Sequence, residues 1–166
     1  MDITILNYVQ NHFHNKFTDF FFVLLSRVGN GGAIWFAFMF LMASNPGTRR
    51  YALLLFFAVA LAYLISQILK PVIGRPRPFV SYPGRRILIH TPGGYSCPSG
   101  HSSSSFAAAT VICIVNRPIV GAAAILLAFG IAFSRIFLFV HYPSDTAFGA
   151  LLGVLSAFLI FALYRM

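Results

Sequence analysis

The chain has 166 residues, of which 58% are hydrophobic and only 9% are charged, and twelve Lys and Arg against three Asp and Glu give a net charge of +9. Because a soluble domain carries about 25% charged residues and a domain this small buries only about two thirds of its unfolded surface, this composition excludes an ordinary cytosolic protein, a disordered chain and a nucleic-acid-binding tail. It predicts one integral membrane domain over residues 1–166, and the positive charge between apolar runs favours an anionic lipid or a phosphate ester as partner.

The first predicted element is a short helix over residues 2–13. Ile3, Leu6, Val9 and Phe13 recur at helical spacing, with Asn, Gln and His between them. That pattern is typical of an amphipathic helix lying on a membrane surface. A frayed terminus is the alternative that the pattern leaves open.

Apolar stretches without formal charge predict five membrane-spanning segments, since a spanning helix needs about 20 apolar residues. The segments lie near residues 17–45, 49–73, 99–116, 118–138 and 143–165. The third is the shortest apolar run and needs the polar residues at its start to reach a spanning length. The expected fold class is all-α: a polytopic membrane helix bundle of about five spanning helices plus an N-terminal interfacial helix.

The first span contains a predicted break. Gly29, Gly31 and Gly32 surround Asn30 within the segment. Clustered glycine in a membrane helix permits a kink or close packing. We therefore expect residues 17–27 to lie partly in the interface.

Lys70 and Arg77 lie where the second span gives way to a polar segment, residues 75–98. This segment is rich in Pro, Gly and Arg, which indicates a structured loop, and loops on a rigid scaffold often carry chemistry. In its Arg-Pro-Arg-Pro sequence, proline fixes the backbone direction, so the arginines project in a defined way. The alternative is that these basic residues are snorkelling anchors at a helix end.

The sequence Pro-Ser-Gly-His at residues 98–101 precedes the third span. Backbone N–H groups at a helix N-terminus are free donors at the positive end of the dipole, so this position can bind an anion. Gly100 allows close approach, the Ser99 hydroxyl adds a donor, and His101 could supply a proton. A simple helix cap beside a neutral surface His is the alternative.

A third candidate group joins the last two spans. Arg135 lies at the outer end of the fourth span, and His141 and Asp145 flank the corner before the fifth, where Pro143 suits a first helical turn. An Asp that accepts a hydrogen bond from one ring nitrogen of a His leaves the other nitrogen nucleophilic. A structural His–Asp contact at a helix start is the alternative.

Together, the three groups resemble the signature of the type-2 phosphatidic acid phosphatase family. The family pattern is Lys, six residues and Arg-Pro; then Pro-Ser-Gly-His; then Ser-Arg, five residues, His, three residues and Asp. Every position matches in order, at Lys70, Arg77-Pro78, Pro98 to His101, Ser134-Arg135, His141 and Asp145. One departure is that many relatives have six spans, whereas five are predicted here.

The resemblance implies a membrane lipid phosphatase that works through a phosphohistidine. Five residues would bind the phosphoryl oxygens: Lys70, Arg77, Ser99, Gly100 and Arg135. His141 would attack phosphorus, Asp145 would orient His141, and His101 would protonate the leaving oxygen and then help to activate water.

No metal or other cofactor is expected, because three carboxylates, Asp2, Asp19 and Asp145, are too few for a two-metal phosphatase site. The substrate would be a membrane lipid phosphate or diphosphate, with undecaprenyl diphosphate preferred over phosphatidylglycerophosphate, phosphatidate or a lipid A phosphate. Vanadium haloperoxidases share this kind of oxyanion site, but they are soluble. A non-enzymatic anionic-lipid binder or transporter would not need the His–Asp pair. The oligomeric state is left open.

Alternation of five spans places all three groups on one face of the cell membrane. Arg49, Arg50, Arg117 and Arg165 would lie on the other face, in short connections where the positive-inside rule marks the cytoplasm. The basic residues on the candidate site's own face are assigned to ligand binding: Lys70, Arg75, Arg77, Arg85, Arg86 and Arg135. The site is therefore expected to face the outer side, with an inward-facing site as the alternative.

Overall fold

The structure is a computed structural model that describes residues 1–116 and 118–166. Within these ranges all of the regular structure is helical, so the predicted all-α fold class is confirmed. The elements are α1 (Asp2–His12), α2 (Lys16–Val28), a single 3-10 turn (Asn30–Gly32), α3 (Ala33–Ser44), α4 (Arg49–Ile73), α5 (Pro78–Ser81), α6 (Gly100–Val115), α7 (Pro118–Phe137) and α8 (Pro143–Arg165).

Helix α6 is the centre of the bundle, and α4, α7 and α8 pack around it. Every residue from Ser102 to Ile112 is buried, and most are Ser or Ala, whose small side chains let neighbouring helices approach closely. A Cβ added at Gly149 would lie 2.6 Å from the Ser99 carbonyl oxygen, and one added at Gly153 would lie still closer to the Ser103 carbonyl oxygen of α6. Glycine at these positions therefore fixes the start of α8 beside the start of α6.

Among the described residues, three helices are long and apolar enough to cross a membrane, namely α4, α7 and α8. Helices α2 and α3 pass the same test together, as a pair bent by 52°. Helix α6 is apolar but has only 16 residues, about 24 Å at 1.5 Å per residue. The five predicted segments are thus three full-length helices, one bent pair and one short helix enclosed by its neighbours.

The predicted break in the first segment is confirmed. Gly31 and Gly32 have φ values of 59° and 75°, in the left-handed region that glycine adopts without a steric penalty. A Cβ at Gly29 would lie 2.8 Å from the Ile131 side chain and 3.1 Å from the His101 ring. The break therefore brings the backbone of the 3-10 turn directly against the candidate site.

Helix α1 docks on the segment that joins α7 to α8. Leu6 and Val9 are buried there, against a hydrophobic surface that includes Phe137 and Phe139. The Gln10 amide adds a hydrogen bond of 3.1 Å to the Phe137 carbonyl oxygen. A frayed terminus, the alternative left open by the sequence, is therefore wrong.

Candidate active site

A cavity of about 790 Å³ lies where α4 and α7 end and α6 begins. The loop that follows α5 forms part of its wall. Six of the eight site residues predicted from sequence line the cavity: Lys70, Arg77, Gly100, His101, Arg135 and His141. The cavity continues between the 3-10 turn, α3 and α4, where its walls include Phe36, Val59 and Leu64. It therefore has a basic end and an apolar end.

Arg77 is held at the basic end by backbone carbonyls. Its Nε donates to Gly94 O at 3.0 Å, its Nη2 to Gly93 O at 2.9 Å and its Nη1 to Val140 O at 3.1 Å. Burial lowers the pKa of the Arg77 guanidinium, but an arginine pKa starts so high that the group stays charged. A snorkelling anchor would be exposed, so that alternative is wrong for Arg77, which is 6% exposed.

Lys70 reaches the same end of the cavity from the last turn of α4. Its Nζ donates to the Tyr95 carbonyl oxygen at 2.9 Å. Two of the three carbonyl acceptors of Arg77 and the acceptor of Lys70 belong to consecutive residues, 93–95, so one short stretch of loop contacts both cations.

His141 presents one ring nitrogen to the basic end and the other to Asp145. Its Nε2 lies 3.3 Å from Arg77 Nη1, and its Nδ1 lies 3.7 Å from Asp145 Oδ2. The second distance is longer than a hydrogen bond, and the orientation of the imidazole by Asp145 stays a prediction. Burial lowers the pKa of His141 to about 3, which keeps the ring neutral at neutral pH.

Ser96 bridges the His–Asp pair. Its hydroxyl donates to Asp145 Oδ2 at 2.5 Å and lies 3.4 Å from His141 Nδ1. The Tyr142 backbone N–H also donates to Asp145 Oδ2, at 2.9 Å. Asp145 is fully buried, and these donors hold its carboxylate behind the imidazole.

Ser99 and Asp145 are the two predicted site residues that do not line the cavity. Asp145 lies behind His141, and its backbone carbonyl accepts a hydrogen bond from Ser99 N at 3.1 Å. The Ser99 hydroxyl is buried and accepts from the Ser102 hydroxyl at 3.1 Å and from the Ser102 N–H at 3.4 Å. The Ser99 side chain therefore makes the helix-cap contact that the sequence leaves open as the alternative to anion binding. Donation of a hydrogen bond to a phosphate by this hydroxyl stays a prediction.

His101 and Arg135 are held by the bent span instead. His101 Nε2 lies 2.9 Å from Asn30 Oδ1, and Arg135 Nη1 donates to the Ser26 hydroxyl. Arg135 is 3% exposed, and its Nε has no hydrogen-bond partner within the described ranges. Its guanidinium therefore keeps donor capacity for an anion in the cavity.

Several residues that hold the site together are not predicted by the three motifs. Ser26, Asn30 and Ser96 lie outside the three motifs, and only the neighbouring glycine break signals that Asn30 occupies a special position. Arg75 is assigned to ligand binding by the sequence, and that assignment is wrong. Its guanidinium does not line the cavity and instead donates to Asp145 Oδ1 at 2.7 Å.

The arrangement suits a tetrahedral oxyanion. Lys70, Arg77 and Arg135 surround the basic end, so three positive charges can balance phosphoryl oxygens without a carboxylate in the cavity wall. In the part of the chain that the structure describes, no three His, Cys, Asp or Glu side chains come together in a way that could hold a metal ion.

The family model described as the PAP2 superfamily matches residues 51–166 of this chain. The chain belongs to the PAP2 superfamily. The matched range contains all eight site residues predicted from the motifs, and the resemblance drawn from those motifs is confirmed as family membership.

Individual curated proteins extend the comparison. The chain is 36% identical over 118 residues to the bacitracin transport permease protein BcrC of Bacillus licheniformis, covering 69% of this chain and 57% of that protein. It is 34% identical over 130 residues to decaprenylphosphoryl-5-phosphoribose phosphatase of Mycobacterium tuberculosis, covering 78% and 71%.

A solved structure shows the same fold over nearly the whole chain. The crystal structure of Aquifex aeolicus LpxE superposes with a TM-score of 0.86 at 25% sequence identity, covering 97% of this chain and 94% of that one. The polytopic helical membrane fold is therefore confirmed, and the names of the relatives support the predicted class of enzyme, a membrane lipid phosphatase.

Proposed function

We propose that the chain is a metal-independent lipid phosphatase, one membrane domain over residues 1–166, which releases phosphate from a lipid phosphate or diphosphate through a phosphohistidine on His141. One observation carries the proposal. The neutral ring of His141 presents Nε2 3.3 Å from Arg77 Nη1, at the end of the cavity that Lys70 and Arg135 also line. A nucleophile beside fixed cations is suited to attack phosphorus, because the cations neutralise the oxygens where charge develops.

The first chemical step transfers the phosphoryl group to the enzyme. The Nε2 lone pair of His141 forms a bond to phosphorus, and the bond between phosphorus and the leaving oxygen breaks. His101 gives its proton to that oxygen, so the lipid product leaves neutral at that position. Asp145 stabilises the positive charge that the ring acquires, and Lys70, Arg77 and Arg135 hold the three phosphoryl oxygens.

The second step returns the enzyme to its starting state. His101, now neutral, takes a proton from water, and the resulting hydroxide oxygen forms a bond to phosphorus as the Nε2–phosphorus bond breaks. Inorganic phosphate is released and the His141 ring is neutral again. Proton transfer of this kind contributes about 10²- to 10⁴-fold to a rate.

The lipid that we favour is a polyprenyl diphosphate, undecaprenyl diphosphate in particular. The apolar end of the cavity, with Phe36, Val59 and Leu64 in its walls, adjoins the basic end, so a head group and the first part of a tail can bind together. A relative named decaprenylphosphoryl-5-phosphoribose phosphatase carries a polyprenyl lipid in its name, which supports the same choice.

Phosphate release from a panel of lipids tests the function. The purified protein in detergent micelles would receive undecaprenyl diphosphate, phosphatidylglycerophosphate or phosphatidate in excess EDTA, with His141→Ala as the matched control. We expect phosphate release by the wild type alone, fastest from the diphosphate. A strict requirement for Mg²⁺ would contradict the mechanism, and lipid binding without release would identify a binder or transporter.

The active site is proposed to face the outer side of the cell membrane. Arg49, Arg50 and Arg165 lie at the helix ends opposite the site, and Arg117, which the sequence places with them, is outside the described residues. Moving one such charge outward would work against the membrane potential by ~2.3 kcal/mol per 100 mV.

Cysteine labelling in intact cells tests this orientation. Cys97 and Cys113 would first be replaced, and single cysteines would then be placed at the exposed positions Ser81 and Pro46. A membrane-impermeant maleimide should label Ser81→Cys and should spare Pro46→Cys. The reverse pattern would place the site in the cytoplasm.

A further inference from the structure

Asp2, the first carboxylate of the chain, reaches the start of α8. Its Oδ2 accepts a hydrogen bond from the Ser144 hydroxyl at 2.5 Å, and its Oδ1 accepts from the Ser144 backbone N–H at 3.1 Å. Asp2 therefore caps the turn that carries Asp145, although the two aspartates lie at opposite ends of the sequence.

Arg75 connects the two carboxylates. Its Nη2 donates to Asp2 Oδ2 at 2.8 Å, and its Nη1 donates to Asp145 Oδ1 at 2.7 Å and to the Ser144 hydroxyl at 2.7 Å. The guanidinium also lies 3.8 Å from the centre of the Tyr142 ring, which limits its movement from a further side.

The two oxygens of Asp145 consequently have separate partners. Oδ1 is bound by Arg75, while Oδ2 is bound by Ser96 and faces His141 Nδ1. Arg75 thereby fixes the plane of the carboxylate and compensates its negative charge in a fully buried position. Without Arg75, the buried Asp145 carboxylate would lose a charge-assisted hydrogen bond. Leaving a buried charged group without such a bond costs free energy.

Helix α1 is fixed at both ends against the same corner of the protein. Leu6 is fully buried and packs with Phe139 and Tyr142, and Gln10 bonds to the Phe137 carbonyl oxygen. The docked helix α1 therefore holds Asp2 in contact with Arg75.

We infer that Asp2 and Arg75 are positioning residues for the His141–Asp145 pair, and that α1 completes the active site from outside the catalytic motifs. The inference rests on the proposed function. Asp2 holds Arg75 between the two carboxylates, Arg75 holds Asp145, and Asp145 orients the nucleophile. Neither Asp2 nor Arg75 lines the cavity, so the loss of either should lower kcat rather than raise KM.

The test compares Asp2→Asn with Asp19→Asn in the full chain, carrying any purification tag at its C-terminus. Asp19 is the matched control, because it is the other N-terminal aspartate and pairs with His14 at 2.7 Å and Arg86 at 2.9 Å, away from Asp145. We expect Asp2→Asn to lower kcat about ten- to a hundredfold, the usual cost of a lost charged hydrogen bond, with KM changed less than about twofold.

Two further variants distinguish positioning from mere folding. Asp2→Glu should recover part of the kcat, because it restores the charge, and Asp2→Asn combined with Arg75→Gln should be no worse than Arg75→Gln alone, because both residues act through one contact. If Asp2→Asn does not fold, Ser144→Ala, which removes only the shared hydroxyl, carries the same expectation of reduced kcat at constant KM.

An unchanged kcat in folded Asp2→Asn, or an equal loss in Asp19→Asn, would overturn the inference. So would strict additivity of the Asp2 and Arg75 effects. These results differ from failure of the proposed function, which would appear as no phosphate release by the wild type or as full release by His141→Ala.

Discussion

The two sides of the basic cavity are built differently. On the nucleophile side, Arg77 is bound by three backbone carbonyls, and His141 and Asp145 are enclosed by Ser96 and the α8 turn. On the acid side, His101 and Arg135 each contact one side chain of the bent span.

This difference matches the two roles proposed for the histidines, nucleophile for His141 and proton donor for His101. The proposed nucleophile, His141, must stay neutral and fixed relative to the phosphate, and it lies in a buried network of backbone carbonyls and charged groups. The proton donor must serve a leaving lipid and then a water molecule. Its support comes from a helix pair bent by 52° at a left-handed glycine turn.

The largest contrast is expected between the two histidines. His141→Ala should leave no measurable turnover, because in the proposed mechanism the covalent intermediate forms on His141. His101→Ala should retain residual turnover, lower by about 10²- to 10⁴-fold, since it removes proton transfer alone. Steady-state phosphate release checks this, and comparable activity in the two variants would remove the proposed assignment of roles.

Arg77→Lys should show how far the nucleophile side depends on geometry. Lysine keeps the charge but cannot donate to Gly93, Gly94 and Val140 in the same way, so we expect kcat to fall about a hundredfold or more. Arg165→Lys is the control, because Arg165 lies at the end of α8 that is far from the site. This variant should behave like the wild type. Equal activity of the two variants would mean that charge alone suffices at position 77.

Removing one supporting side chain from each side gives a smaller and more direct comparison. Ser96→Ala removes a hydrogen bond to a buried carboxylate and should lower kcat about ten- to a hundredfold, whereas Asn30→Ala removes one contact to His101 and should lower it about two- to tenfold. Both kcat values would be measured with thermal unfolding as a folding control. A larger effect at Asn30 would reverse the comparison.

The smallest expected effect is the response to mild acid. Burial, followed by the charges of Arg135 and Arg77, lowers the pKa of His141 to about 3. A nucleophile with a lowered pKa stays deprotonated as the pH falls through 6.5, so kcat/KM should show no loss from protonation of His141 between pH 7 and pH 5. A fall of kcat/KM below about pH 6.5, with a midpoint that shifts in Arg77→Gln, would contradict this expectation. It would indicate that His141 is solvated and titrates in this range.

The motif residues could be predicted because their chemistry depends on residue type and short spacing. Lys70, Arg77, His101, Arg135 and His141 are brought to one cavity as expected. Glycines at the break and the apolar segments also predicted the bent span and the helical bundle, because both follow from local backbone freedom and hydrophobicity.

The supporting contacts could not be predicted in the same way. Ser96 meets Asp145 across 49 residues, and Arg135 meets Ser26 across 109 residues. Such contacts depend on how α8 packs against α6 and how α1 and α2 dock on α7, and no periodicity in the sequence encodes them. Ser96, for example, enters from a distant loop to bond Asp145 and lies 3.4 Å from His141 Nδ1.

Trapping the covalent intermediate tests whether His141 is the nucleophile. The enzyme would be mixed rapidly with a lipid diphosphate labelled with ³²P in its terminal phosphate, quenched in base within the first turnover, digested and sequenced by mass spectrometry. We expect an acid-labile, base-stable phosphoryl group on the peptide that contains His141. A burst of lipid product with no labelled protein, or a label on any other residue, would contradict it.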